Sequence, residues 1–223
     1  MEKSMHATAI KVVLAMLACT ISGVSAVRAA DQNDAPSPPT ARQVMDQVTH
    51  DVLAILRDHN LSVDEKREKV KQIAYQNMNF DVMARLSLGR YWRGLTDAQR
   101  TQYQQEFKQL VTNTYGATTD SYTDEDVKVV GDRLEQDGDC TVLTRITGTK
   151  DDKPDQEVAK VDYRLRTQDK QWKVIDFTID GVSLVANFRS QFQEVMANGG
   201  IDQLLKLLRD KNAAHEKNAA NGK

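Results

Sequence analysis

The chain has 223 residues, 30 basic against 32 acidic, with 40% hydrophobic and 6% aromatic residues. A net charge of −2 spread along the length lacks the basic excess that nucleic-acid binding requires. Two cysteines among so many residues exclude a disulfide-stapled scaffold.

Residues 1–26 open with Lys3 and Lys11, continue as an apolar run over 12–24 and end in Val24-Ser25-Ala26. This is the pattern of a secretory signal peptide, with a run too short to anchor in a bilayer. Cleavage is expected after Ala26, with Ala29 and Ala30 as alternatives, and export places the product outside the cytoplasm. Cys19 follows Met16-Leu17-Ala18, a poor lipidation signal. Because Glu2, Lys3 and Lys11 leave with the leader, the remainder carries −3 and only Cys140, so no internal disulfide can form.

Residues 27–40 hold three of the four prolines in DQNDAPSPPT and predict a disordered linker. The folded body is expected over 41–210 as a single domain, followed by a disordered tail over 211–223 without an apolar face. Thr40 caps a helix to about Asp58, with Val44, Val48, Val52, Ile55 and Leu56 at helical spacing. Ser62-Val63-Asp64-Glu65 is a capping box for a helix to about Asn77 with Val70, Ile73 and Ala74 inward. A short helix over 81–88 stops at Gly89. Thr96-Asp97-Ala98-Gln99 opens another helix with Tyr103, Phe107, Leu110 and Val111 on one stripe.

The apolar period then changes from 3.6 to 2. Strands are predicted over 127–134, 139–149, 157–167 and 171–180, joined by turn-rich links short enough for antiparallel hairpins. Val161, Tyr163 and Leu165 share one face and Lys160, Asp162, Arg164 and Arg166 the other, so one face of the sheet meets water. Two last helices follow, one with Leu184, Val185, Phe188 and Phe192 aligned, the next with Leu204, Leu205, Leu207 and Leu208 after Gly199-Gly200. The order predicts an α+β class, a four-stranded antiparallel sheet with N- and C-terminal helices packed on one face.

In WKVIDFTIDGVSLVANFRSQF, residues 172–192, a strand turns into a helix within four residues. Gly181 permits the turn and Ser183 can cap the helix. The apolar residues converging there suit ordinary core as well as the lining of a hollow wedge. Enzyme chemistry lacks its usual marks. Only His50, His59 and His215 lie beyond the leader, and there is no metal-ligand spacing, no G-x-S-x-G elbow and no glycine-rich phosphate loop.

That segment, VDYRLR at 161–166 and NFDVMARLSLGRYWRGLTDAQRTQYQQEFKQL at 79–110 together resemble the MlaC or toluene-tolerance family, over about 41–209. The resemblance implies a periplasmic, non-enzymatic, monomeric carrier with no cofactor, whose cargo is a diacyl phospholipid. It would shuttle lipid between an inner-membrane ABC transporter complex and an outer-membrane lipoprotein complex to maintain outer-membrane asymmetry. Such a carrier needs an apolar cavity at or beyond ~300–1,000 Å³. The expected tail contacts are Tyr103, Phe107, Leu110, Val142, Tyr163, Ile175, Phe177, Val182, Val185 and Phe188. Arg90, Tyr91, Trp92, Arg93 and Arg189 could form a head-group rim, or pair on the helical surface instead. A non-catalytic envelope adaptor gripping a protein partner in the same groove is the alternative.

Overall fold

The computed structural model describes residues 39–116, 122–123, 125–150 and 153–220. The predicted leader, its cleavage site and the linker as far as residue 38 lie outside them.

Helix α1, Ala41–Arg57, begins at a reciprocal cap: Gln43 N donates to Thr40 Oγ1 (3.2 Å) and Thr40 N to Gln43 Oε1 (2.9 Å). Its buried stripe is Ala41, Met45, Thr49, Val52, Leu53 and Leu56, rotated from the predicted one so that Val44 and Val48 are only half-buried. Helix α2, Val63–Asn77, starts at the Ser62–Glu65 box as predicted, yet none of its residues is fully buried. Helix α3, Phe80–Leu88, is capped by Asn79 Oδ1, which accepts from Val82 N at 2.9 Å. A two-turn 3₁₀ segment, Gly89–Gly94, leads to α4, Asp97–Gly116. Tyr103, Phe107, Leu110 and Val111 form the buried stripe of α4, and Tyr103 Oη shares a 2.7 Å hydrogen bond with Ser87 Oγ.

The sheet is a meander in the order β1 (Asp126–Leu134), β2 (Cys140–Lys150), β3 (Lys153–Gln168), β4 (Gln171–Ile179), β5 (Val182–Ser183). All pairings are antiparallel. There are five strands where four were expected, because Val182 and Ser183 pair back onto Ile179 and Thr178. Cys140, Val142, Thr144 and Ile146 alternate inward with period 2, as one buried face demands. A bulge in β4 sets Arg164 opposite Asp176 and Leu165 opposite Val174, which leaves Ile175 out of the ladder.

Helix α5, Leu184–Ala220, contains a break at Gly200 (φ +66°, ψ −165°), where the second of the two predicted helices begins. The tail expected to be disordered from residue 211 instead stays helical to Ala220. Polar contacts hold it rather than an apolar face: buried Asn212 donates from Nδ2 to the Glu106 carbonyl (3.1 Å), and Gln109 Nε2 donates to Glu216 (2.6 Å).

Two apolar clusters make up the interior. The larger joins the second half of α1 and helices α3, α4 and α5 to one end of the sheet, around Phe107, Phe188 and Phe192. The smaller packs Ala41 and Met45 on Cys140, Val142, Leu165 and Val174.

Candidate functional site

Between these clusters the packing leaves a cavity of about 160 Å³. Met45 and Val48 reach it from the side of the smaller cluster, Val52, Phe80, Val111 and Phe177 from the larger, and Tyr163 and Val174 form its floor. Its outer wall is α2, through Val70, Ile73 and Ala74, with Tyr115 closing the end of α4. Lys71, Asn77, Thr112 and the tyrosine hydroxyls are the polar groups on a surface otherwise apolar. Burial pushes the Tyr115 hydroxyl up to about 12 and raises that of Tyr163 as well, so both stay neutral near pH 7. The chamber can shelter hydrocarbon, but it is smaller than the expected ~300–1,000 Å³ of a ligand site.

Two grooves flank it. A polar groove of about 370 Å³ shares Met78 and Phe80 with the cavity and is lined further by Tyr75, Asn79, Lys108 and Lys173. A wider groove of about 930 Å³ runs along the outer side of the sheet between Arg133, Asp137, Arg164, Asp176 and Arg189. Its charges are largely satisfied among themselves. Arg164 Nε donates to Asp139 Oδ2 (2.8 Å), Arg133 Nη2 to Glu135 (2.8 Å), and Arg189 from Nε and Nη2 to the Leu86 carbonyl (2.8 and 2.6 Å).

Of the ten tail contacts expected from sequence, Tyr163 and Phe177 line the cavity. Tyr103, Phe107, Leu110, Val185 and Phe188 belong to the larger cluster, where Phe107 meets Phe188 edge-on at 5.4 Å and Phe188 stacks on Phe192 at 5.3 Å. Val142 lies in the smaller cluster. Ile175, displaced by the bulge, is buried beside the wide groove, and Val182 is 60% exposed at the tip of the corner.

None of the five expected rim residues lines the cavity. Arg90 Nη2 donates to Tyr91 Oη (3.2 Å), and Arg100 covers the Trp92 ring. Arg93 offers its carbonyl to Arg100. Missing from the sequence-derived set are Met45, Val48, Val52, Phe80, Val111, Tyr115 and Val174, and the α2 residues Val70, Ile73 and Ala74, which the spacing predicts only as an inward helix face. The signal available was α2 itself, a well-capped helix with too few apolar residues to fill the space beneath it.

Comparison with known proteins agrees with this arrangement. The profile of the MlaC protein family matches residues 46–210. The toluene tolerance protein ttg2D of Pseudomonas putida is 26% identical over 113 residues, which are 51% of this chain and 50% of that protein. The chain thus aligns with about half the length of that curated relative. A phospholipid-binding protein from Ralstonia solanacearum, solved in complex with a phospholipid, superposes with a TM-score of 0.68 at 24% identity, over 80% of this chain and 99% of that one. With three-quarters of its length matched by one family profile and the same α+β architecture, the chain belongs to the MlaC family.

Proposed function

We propose that this protein is a periplasmic phospholipid carrier, and that the cavity between its two clusters receives the acyl tails. The observation that carries the reading is a core that stops short of closing, in a chain whose fold matches a protein solved with phospholipid bound. A diacyl lipid has roughly 30 methylenes, and at ~0.8 kcal/mol each their exposure costs more than ~20 kcal/mol. Lipid crosses an aqueous compartment at a useful rate only inside an apolar shelter.

Two tails need more room than about 160 Å³, so loading requires a wall to move. The wall that gives way is α2. It buries no residue fully, and its two ends are held by short polar links: Lys66 Nζ donates to the Leu56 carbonyl (2.7 Å) and Lys173 Nζ to the Gln76 carbonyl (2.6 Å). Swinging it outward exposes little surface that is now dry.

In this reading residues 41–210 form one lipid-binding domain, delivered by a cleaved leader. The carrier performs no covalent step. It hands phospholipid between an inner-membrane ABC transporter complex and an outer-membrane lipoprotein complex, as befits a member of this family.

Protein purified from a periplasmic extract should yield stoichiometric phospholipid on organic extraction and mass spectrometry. Lipid-free protein that also fails to take up phospholipid from vesicles would overturn the proposal.

A further inference from the structure

Lys108 points to where the polar end of such a lipid sits. Its ammonium lies 3.7 Å from the centre of the Tyr75 ring and 5.5 Å from that of Phe80, half-buried between the apolar cavity and the adjoining polar groove. Other charges nearby are already engaged or face water. Lys71, 5.9 Å from the same ring, is paired with Glu68 (2.7 Å), and Lys173 is bound to the Gln76 carbonyl. Asp81 stands exposed in the first turn of α3, and Asp169 is exposed in the β3–β4 turn. Lys108 has no carboxylate partner among the described residues.

A half-buried ammonium without a counter-ion has lost part of its hydration, and two ring faces restore only some of it. Phe80 and Met78 border both the cavity and the groove, so a chain leaving the cavity past them enters beside Lys108.

We propose that Lys108 is the phosphate-binding cation of a head-group subsite in this groove, its partner being the phosphodiester of a phospholipid whose tails occupy the cavity. The assignment rests on the carrier reading above. Tyr75 and Phe80 hold the ammonium at the boundary between oil and water, where the phosphate of a diacyl lipid must lie. Asn79, Gln168 and Gln171 supply neutral polar groups around it.

The test is calorimetric titration of the exported protein with dioctanoyl phosphatidylethanolamine and with dioctanoylglycerol, which has the same tails and no phosphate. The wild-type protein should bind the phospholipid more tightly. Lys108→Gln should lose about tenfold in that affinity while binding dioctanoylglycerol as before, and Lys108→Arg should retain most of it, as for a half-exposed hydrogen bond to charge.

Equal phospholipid affinity in Lys108→Gln and wild type would overturn the subsite and leave the carrier reading standing. A wild-type protein that binds neither lipid would overturn both. Millimolar inorganic phosphate that binds in a Lys108-dependent way, with lipid affinity untouched by Lys108→Gln, would mark a free-phosphate site and overturn the lipid assignment.

Discussion

Ser183 Oγ donates a 2.5 Å hydrogen bond to Oδ2 of Asp176 across the corner where the sheet becomes a helix. The other oxygen of Asp176 accepts from Val185 N (3.1 Å), and Ser183 Oγ in turn accepts from Ala186 N (3.0 Å). One carboxylate therefore fastens β4 to the first turn of α5, where backbone N–H groups would otherwise lack partners. Asp180 (φ +46°) and Gly181 (φ +87°) make the reversal itself, in left-handed backbone that favours residues such as glycine.

Burial raises the Asp176 carboxyl above the usual carboxylate range, although its bonds from Ser183 and Val185 pull it back in part. The folded state therefore binds the proton more tightly than the unfolded chain. The stability it contributes is full below the ordinary aspartate value of ~3.9 and is lost as pH rises through the raised value. Asp176→Asn should flatten that part of the pH profile of the urea midpoint. Asp176→Ala, which leaves Ser183 and Val185 N unanswered, should cost about 1–3 kcal/mol.

Asp139 behaves oppositely. Its side chain is 1% exposed, and burial works to raise its pKa. Hydrogen bonds and charge from Arg166 (2.7 Å at both oxygens) and Arg164 (2.8 Å) outweigh that and hold it below the usual range. Its contribution is present above ~3.9 and lost as pH falls through the depressed value. Asp139→Asn should destabilise by about 2 kcal/mol at neutral pH, with the loss shrinking in acid, measured by denaturant unfolding across that range.

Ala74 lines the cavity from α2, a helix with no fully buried residue. Ala74→Trp should fill the chamber and reduce co-purifying phospholipid more than about tenfold. Because overpacking can relax through α2, stability should fall by no more than about 1–3 kcal/mol. Undiminished lipid in a folded variant would place the tails elsewhere.

If α2 is the moving wall, its amides should exchange hydrogen faster than those of α4, whose stripe is fully buried. Saturation with phospholipid should slow exchange at Val70 and Ile73 in particular, as read by mass spectrometry of peptides from this helix.

Gly200 breaks α5 with φ +66° and ψ −165°, a conformation essentially confined to glycine. An added Cβ meets nothing within 4 Å, so the penalty of Gly200→Ala is purely of the backbone. Thermal unfolding should register a loss of about 1–3 kcal/mol.

Local chemistry was legible in the sequence because it depends on neighbours along the chain. The Ser62–Glu65 and Thr96–Gln99 boxes start their helices where the spacing put them, and the change of period at Val127 marks the sheet. Ser183 caps α5, and the stripe of Tyr103, Phe107, Leu110 and Val111 is buried as its spacing required.

What the chain could not reveal by itself is which apolar residues face one another and which face a gap. Phe107 and Phe188 on their helices and Phe177 on its strand all fall on apolar faces, yet the first two meet edge-on in the larger cluster while the third also borders the cavity. The bulge at Ile175 follows from the register of β3 against β4, and the placement of α2 over the space between the clusters from packing that brings Gln76 and Lys173 together across 97 positions. Periodicity assigns a residue to a face. Only the meeting of faces in three dimensions decides whether the volume between them is filled.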